Sequence, residues 1–417
     1  MKKITFLFVL LAANCVFAQE RSIFSQAHDS SHFSVGVFSN YAVNSNALNN
    51  SFYKKIYLGG FISNDDKALV GKKLKNENRF GVDVNSGISF SQKIDTVLNQ
   101  TGYGYFVSLR NCKHLDMSFS KDMFNVLMYG NEPFAGQSLN LGNFSASYVA
   151  YQQVQWGFTK TIQSDSAFTQ YGLGLSYLNG QKNFTTRIEK ADFFTEQNGD
   201  YLTLDIAGQL AQSDTTKGKF GSRSGSGFCA DFFYHTIFEN KSELSVSIQN
   251  LGFISFSEQS PVYLIDSNFT FDGLEVDKLL TLKDSVLLAI SKDTIVDNVS
   301  THGSKGYSYT LPTTFTFNYT YIVKENKLQL TAGLITRIQA NFRPMVYLSA
   351  NYFICSKFVL IPLLSYGGYG NLSSGLAFQT DMGKGFVLAA GSRNIEGYIA
   401  PKKSTGQGLY FSLKKYF

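Results

Sequence analysis

The stretch GQGLYFSLKKYF, residues 406–417, ends the chain on an aromatic residue and decides how the rest is interpreted. Its side chains alternate, so that Leu409, Phe411, Leu413 and Phe417 share one face of an extended strand. At the edge of a soluble sheet such a strand would invite pairing with other chains. As the closing strand of a membrane barrel it has no free edge, and its apolar face contacts lipid. The stretch alone leaves both interpretations open.

The N-terminal sequence predicts a secretory signal peptide of residues 1–18. It begins with a positively charged segment, continues with apolar residues 4–11, and ends in the small-residue cleavage site VFA at Ala18. Its apolar segment is too short to cross a bilayer as a helix. We therefore expect residues 19–417 to form one domain outside the cytoplasm.

Composition favours β structure and argues against several function classes. The chain has 38 Phe, 24 Tyr and only 6 Pro, and its mean hydropathy of −0.08 suits a barrel whose two faces average out. The net charge of +6 includes no Lys/Arg block, so no nucleic-acid partner is predicted. Without CxxC, HExxH or GxSxG motifs, we predict no metal site, no cofactor and no catalytic residue. A hydrolase site assembled from distant strands would leave no local motif and stays an alternative.

Period-two alternation recurs along the chain, and aromatic residues stand at both ends of the apolar face. In residues 79–90, RFGVDVNSGISF, Phe80 and Phe90 bracket aliphatic side chains, while the other face is polar or glycine. A membrane strand needs roughly 9–11 residues and aromatic side chains at each interface. The same design recurs in residues 102–110, 170–179, 202–207, 243–249 and 314–321. The sequence therefore predicts an all-β fold, a transmembrane antiparallel β-barrel of about 14 strands, with 12 or 16 as alternatives.

Three segments interrupt the strand pattern. Residues 44–75 are expected to hold a short helix near 48–57, either as a plug inside the barrel or at its periplasmic mouth. Residues 120–129 predict a helix capped by Ser120, which either packs on the barrel rim or serves as a binding element. Residues 259–305 are far longer than a barrel turn and predict an extracellular loop, the first candidate for recognition outside the cell.

Several runs resemble a known family. They are NRFGVDVNSGISF, SFSKDMFNVLMYGNEPFAGQSLNLG, YGLGLSYLNGQKNFTTRIEKADFFT and SVSIQNLGFISF. Together they resemble a family of outer-membrane proteins of unknown function from the Bacteroidetes. The resemblance implies a barrel distantly similar to the long-chain fatty-acid transporters and to barrels of the Bacteroidetes secretion machinery, and it supplies no catalytic residue. Lys415 departs from the apolar or aromatic residue usual in such end signals.

The alternation also divides the side chains between lumen and lipid. Polar residues opposite the apolar faces are the candidate lumen lining: Arg79, Asp83, Asn85, Arg110, Asp205, Glu243 and Arg337. These mixed charges either hydrate the interior or line a polar conduit. The candidate membrane-insertion signal is formed by Leu409, Phe411, Leu413 and Phe417.

We therefore predict a Gram-negative outer-membrane barrel of transport or channel type. Its expected partners are outer-membrane lipid, the barrel assembly machinery and a small hydrophobic or polar solute. One alternative is a barrel that serves as scaffold or adaptor for a surface or secretion assembly, with residues 259–305 as the contact. The other is a soluble secreted β-rich protein that binds polysaccharide or protein.

Overall fold

A computed structural model describes residues 31–94, 96–97, 99–164, 167–214, 223–272, 300–325 and 327–417. The expected signal peptide lies outside these residues. So do residues 273–299, the centre of the long segment predicted at 259–305.

The described residues form nineteen strands of one antiparallel sheet. They are β1 (Phe33–Ser45), β2 (Glu77–Ile94), β3 (Tyr103–Ser120), β4 (Ser138–Asn140), β5 (Phe144–Gln163), β6 (Phe168–Thr195), β7 (Leu202–Gln212), β8 (Gly225–Ile237), β9 (Glu243–Phe256), β10 (Pro261–Phe271), β11 (Ser300–Ser304), β12 (Tyr307–Thr310), β13 (Thr313–Lys324), β14 (Leu328–Ile338), β15 (Arg343–Cys355), β16 (Phe358–Gly368), β17 (Leu372–Gly383), β18 (Phe386–Ser392) and β19 (Gly406–Tyr416).

Fourteen of these strands close into a barrel, as the sequence predicted. The order around the ring is β1, β2, β3, β5, β6, β8, β9, then β13 to β19. β19 returns to β1 and pairs with it from Ser34 opposite Tyr416 to Asn44 opposite Gly406. Because the ring has no edge, the alternative of a terminal strand in an open soluble sheet is wrong.

The other five strands lie beyond this ring. β4 and β7 pair with residues 184–195 of β6, β10 pairs with β7, and β11 pairs with β10. We call β4, β7, β10, β11 and this part of β6 the apron. β12 precedes β13 in the chain and, like β13, pairs with β9. Leu311 and Pro312 separate the two strands.

The two ends of the barrel differ in their connections. At one end, the turn end, His32 N donates to Phe417 O at 2.9 Å, and the strands there are joined by turns of eight residues or fewer. At the other end, the loop end, the longest connections are residues 46–76, 121–143, 196–224, 257–312 and 393–405.

The outward face of the ring is apolar. Large hydrophobic side chains exposed there include Ile88, Leu109, Trp156, Phe158, Leu175, Leu348, Leu364 and Leu409. The pairing of β19 with β1 places Phe411, Leu413 and Phe417 on this same face, as the alternation predicted. Their role as an insertion signal stays a prediction. No helix in the described part of the chain is long and apolar enough to cross a membrane.

In the described part of the chain, four short α-helices lie at the loop end: α1 (Asn50–Leu58), α2 (Asn64–Gly71), α3 (Lys121–Tyr129) and α4 (Glu396–Ile399). α1 begins where Asn49 caps it and ends at Gly59, whose φ of 75° suits glycine. α2 begins with a capping box between Ser63 and Asp66. Ser120 caps α3 as the sequence predicted, and its side chain accepts a hydrogen bond from Met123 N.

The apolar side chains of residues 48–74 pack outside the barrel wall and not in its lumen. Phe52 and Val70 of this segment join a buried cluster with Phe119 of β3 and with Phe80 of β2. Phe80 shares its strand face with the exposed Ile88, so it points outward. The plug prediction for residues 44–75 is therefore wrong, because the apolar positions that could bury this segment lie on the outer rim.

Candidate functional site

The polar side chains of β2 and β3 meet inside the barrel. The antiparallel register places Asp83 directly opposite His114 on the inward face, with Asp83 Oδ1 2.8 Å from His114 Nδ1. The second carboxylate oxygen, Oδ2, accepts a hydrogen bond of 2.9 Å from Arg337 Nη1 on β14. β2 and β14 stand seven places apart in the ring of fourteen, so this contact spans the lumen. We call Asp83, His114 and Arg337 the crossbar.

The crossbar is shielded from water. The side chains of Asp83, His114 and Arg337 are 20%, 10% and 10% exposed. The guanidinium also lies over the Phe342 ring, with Cζ 5.0 Å from its centroid. Removing one partner of an ion pair in such surroundings is costly, since it leaves the other charge buried without compensation.

Two loop-end turns reinforce the crossbar from above. Asn341, between β14 and β15, donates from its backbone N and Nδ2 to the two carboxylate oxygens of Asp116, at 2.9 and 2.6 Å. The Tyr369 hydroxyl, in the turn between β16 and β17, lies 3.4 Å from His114 Nε2. Burial raises the pKa of Tyr369 well above its ordinary value, so this hydroxyl remains neutral. β3 is thus connected to the opposite side of the ring through Asp116 and through His114.

A second polar group lies beside the crossbar, on β3, β5 and β8. Gln155 accepts a hydrogen bond of 2.8 Å from Arg110 Nη2 through Oε1 and donates one of 2.6 Å through Nε2 to Asp231. Asp231 also accepts from Asn250 N at 2.7 Å. Gln155 and Asp231 are almost fully buried, and these hydrogen bonds provide partners for their polar atoms.

An apolar cluster fills the adjoining part of the lumen. Leu311, at the break between β12 and β13, is buried with Cys112, Val149, Tyr151, Leu178, Cys229, Ile254 and Phe256. The hydroxyl of Tyr309, next to Leu311, accepts a hydrogen bond of 2.9 Å from Ser147 Oγ, and burial raises the pKa of Tyr309 to about 12. Between this cluster and the crossbar the described residues leave a cavity of about 60 Å³. That volume is enough for a few water molecules.

Six of the seven predicted lumen residues lie on the inward side of the ring. Asp83 and Arg337 are in the crossbar, and Arg110 is beside it. Asn85 Oδ1 lies 3.5 Å from Cys112 Sγ, and Arg79 is buried nearer the loop end. Glu243 lies at the turn end, where its carboxylate is 3.1 Å from His235 Nε2.

Asp205 is the exception and is corrected here. It lies on β7, which belongs to the apron above the ring and not to the wall. Its carboxylate accepts a hydrogen bond from Lys190, and the two side chains are 41% and 50% exposed. Alternation alone mistook β7 for a wall strand, because the apron strands have the same period as the wall.

Sequence reasoning missed several residues of this site. His114 and Asp116 follow Arg110 at even spacing on β3, so extending the alternation past Arg110 would have found them. Gln155 and Asp231 carried no comparable signal. The described residues contain no group of three or more His, Cys, Asp and Glu side chains placed to hold a metal ion.

Comparison with known proteins gives a family and a fold. Residues 26–390 match a family of unknown function, DUF5723, as the sequence resemblance indicated; a Bacteroidetes origin stays a prediction. No curated protein matches the chain.

Three outer-membrane barrels are among the similar solved structures. The P. putida toluene transporter TodX is 8% identical with a TM-score of 0.42, covering 94% of this chain and 92% of its own. The Ralstonia pickettii toluene transporter TbuX is 9% identical with a TM-score of 0.40, covering 93% and 89%. A Pseudomonas aeruginosa FadL homologue is 10% identical with a TM-score of 0.40, covering 92% and 89%. Similarity this low carries no argument about the solute.

Proposed function

We propose that this chain, which belongs to the DUF5723 family of unknown function, is an outer-membrane barrel of transport or channel type whose lumen is closed by the crossbar. The observation that carries the proposal is the contact of Asp83 with Arg337 across the ring. It closes the lumen with side chains, which can change rotamer without unfolding the wall.

The apolar outer face supports a membrane location. Short turns at one end, with long connections at the other, are typical of outer-membrane barrels whose turns face the periplasm. This orientation would put residues 46–75 on the external side, whereas the sequence led us to expect a periplasmic position.

The lumen combines two chemistries that suit a small amphipathic solute. The crossbar and the Arg110–Gln155–Asp231 group offer charged and amide side chains. The cluster around Leu311 offers an apolar wall beside them. A solute that exchanges hydrogen bonds with the crossbar while resting on this cluster would lower the cost of opening it.

Removing both charges of the crossbar tests the gate. Asp83→Ala/Arg337→Ala removes the bridge without leaving a lone buried charge. In planar bilayers we expect low conductance from the wild type and a severalfold increase from the double variant. The matched control is Lys190→Ala/Asp205→Ala, which removes the ion pair of the apron and should leave conductance unchanged. Equal conductance in all three proteins would contradict the gate.

The second candidate function is a scaffold or adaptor. The filled lumen and the apron favour it, because the apron extends the sheet by four short strands beyond the ring at the loop end. Replacing residues 273–299 by a short Gly-Ser linker spares β10 and β11 and removes the centre of the long segment. The scaffold would be favoured if the linker variant loses a co-purifying partner and the crossbar double variant shows no conductance. If the partner still co-purifies with the linker variant, residues 273–299 are not the contact.

A further inference from the structure

We propose that the segment formed by α1, α2 and their connection, residues 50–71, is a lipid anchor that lies on an anionic membrane surface at the loop end of the barrel. We call this segment the collar. The inference rests on the proposed membrane location and identifies a second lipid-binding element besides the strands.

The collar has two apolar sides. Phe52, on the first side, is 1% exposed and packs against Phe124 and the outer rim of the ring. On the other side Tyr57 and Phe61 are 87% and 86% exposed, and Leu58 beside them is also exposed. Exposed apolar side chains this close together mark a contact with a membrane or a partner.

The position of the collar on the wall favours the membrane. Tyr53 of α1 reaches the outer face of β19, where its hydroxyl donates to Gln407 Oε1 at 3.3 Å. Tyr41 of β1 pairs with Leu409 on one side and with Val84 on the other, and Val84 pairs with the exposed Lys113. Lys113 thus places a charge on the outward face at this row, as at a membrane interface, where tyrosine side chains are common.

The charge of the surrounding segment suits anionic lipid. Residues 44–75 contain six lysines and two aspartates, a net charge of +4 in a chain of +6. Lys55 is paired with Asp66 inside the collar, and Lys67 donates to Met128 O of α3. Lysines beside exposed aromatic side chains are typical of segments that lie in the headgroup region of anionic membranes. A second copy of this chain would carry the same +4 and would repel this surface, so the lipid is the occupant that fits.

The chain has one tryptophan, Trp156, which allows the barrel and the collar to be tested separately. Trp156 lies on the outward face of β5 and is 52% exposed, so it reports on the strands. In a Trp156→Phe background, Phe61→Trp reports on the collar. Both proteins are reconstituted in vesicles of phosphatidylcholine with or without phosphatidylglycerol, and fluorescence is quenched by lipids brominated near the headgroup or near the bilayer centre.

We expect deep bromines to quench Trp156 and shallow bromines to quench the Phe61→Trp probe, more strongly when phosphatidylglycerol is present. The matched control Trp156→Phe/Leu127→Trp places the probe on α3, outside the collar, and should be quenched less. If Trp156 is quenched and the Phe61→Trp probe is not, the anchor is overturned while the barrel stands. If the Phe61→Trp probe loses its quenching only when the protein density in the vesicles is high, a second copy covers it. The anchor is then also overturned. Failure of Trp156 to be quenched would overturn the proposed membrane location.

Discussion

Two aspartates that the same alternation placed in the lumen, Asp83 and Asp205, belong to very different regions. Asp83 joins Arg337 across the ring, and both side chains are mostly buried. Asp205 joins Lys190 on the apron, and both are about half exposed. Both pairs join a carboxylate to a basic side chain. They differ in their exposure to solvent and in the strands that they connect. The crossbar holds two opposite walls, and the apron pair connects adjacent strands.

The largest effect is expected from breaking one side of the crossbar. Asp83→Ala leaves the Arg337 guanidinium buried without its carboxylate, which should destabilise the barrel by about 3–5 kcal/mol. Asp205→Ala should change stability by less than about 1 kcal/mol, because its partner remains hydrated. Urea unfolding in lipid vesicles, followed by mobility on unheated gels, measures both. Equal losses of stability in the two variants would show that burial does not determine how much each ion pair contributes.

A third ion pair, Lys55–Asp66 in the collar, sharpens the comparison because its exposure is uneven. Lys55 Nζ lies 2.5 Å from Asp66 Oδ2, and the side chains are 34% and 8% exposed. The hydrogen bond from Lys55, followed by those from Ser63, lowers the pKa of the Asp66 carboxyl well below its ordinary value of 3.8. The folded state therefore favours the ionised carboxylate.

The sign of this shift sets the pH dependence. A lowered pKa contributes stability that is complete above the ordinary carboxyl pKa and is lost as the pH falls below it. We expect the amides of α2 to lose protection from hydrogen exchange, corrected for intrinsic rates, between about pH 4 and the lowered pKa. Lys55→Met should weaken this dependence, because it removes the largest cause of the shift. A dependence that is the same in both proteins would assign it to another group.

The smallest effect is expected from salt acting on the apron pair. The Lys190–Asp205 attraction is exposed, so raising the ionic strength from about 0.01 to 1 M should screen it and remove its small contribution to stability. The crossbar is shielded and should respond less. Comparing the salt dependence of unfolding in the wild type and in Lys190→Ala/Asp205→Ala measures the difference. A salt effect that survives in the double variant would come from other charges.

The sequence predicted the ring well and its contents only in part. Period two separates inward from outward side chains, so Leu409 and Asp83 were both assigned to the correct face. It contains no information on which inward side chains meet, and Asp83 and Arg337 are 254 residues apart. One helix near residues 48–57 was predicted, but its side of the wall depended on Phe80 and Phe119, which a local pattern does not connect to it.

The seam between β1 and β19 has a kinetic consequence. Eleven residue pairs join these two strands, which stand at opposite ends of the described chain, and the Phe33 and Phe417 rings stack 4.5 Å apart. Every other pair of neighbouring strands in the ring lies closer together in sequence, whereas this pairing closes the longest loop of all and has the largest entropic cost. The seam therefore forms last, and until then two unpaired edges stay open to wrong partners. The time during which β1 and β19 stay unpaired therefore governs the folding of this barrel.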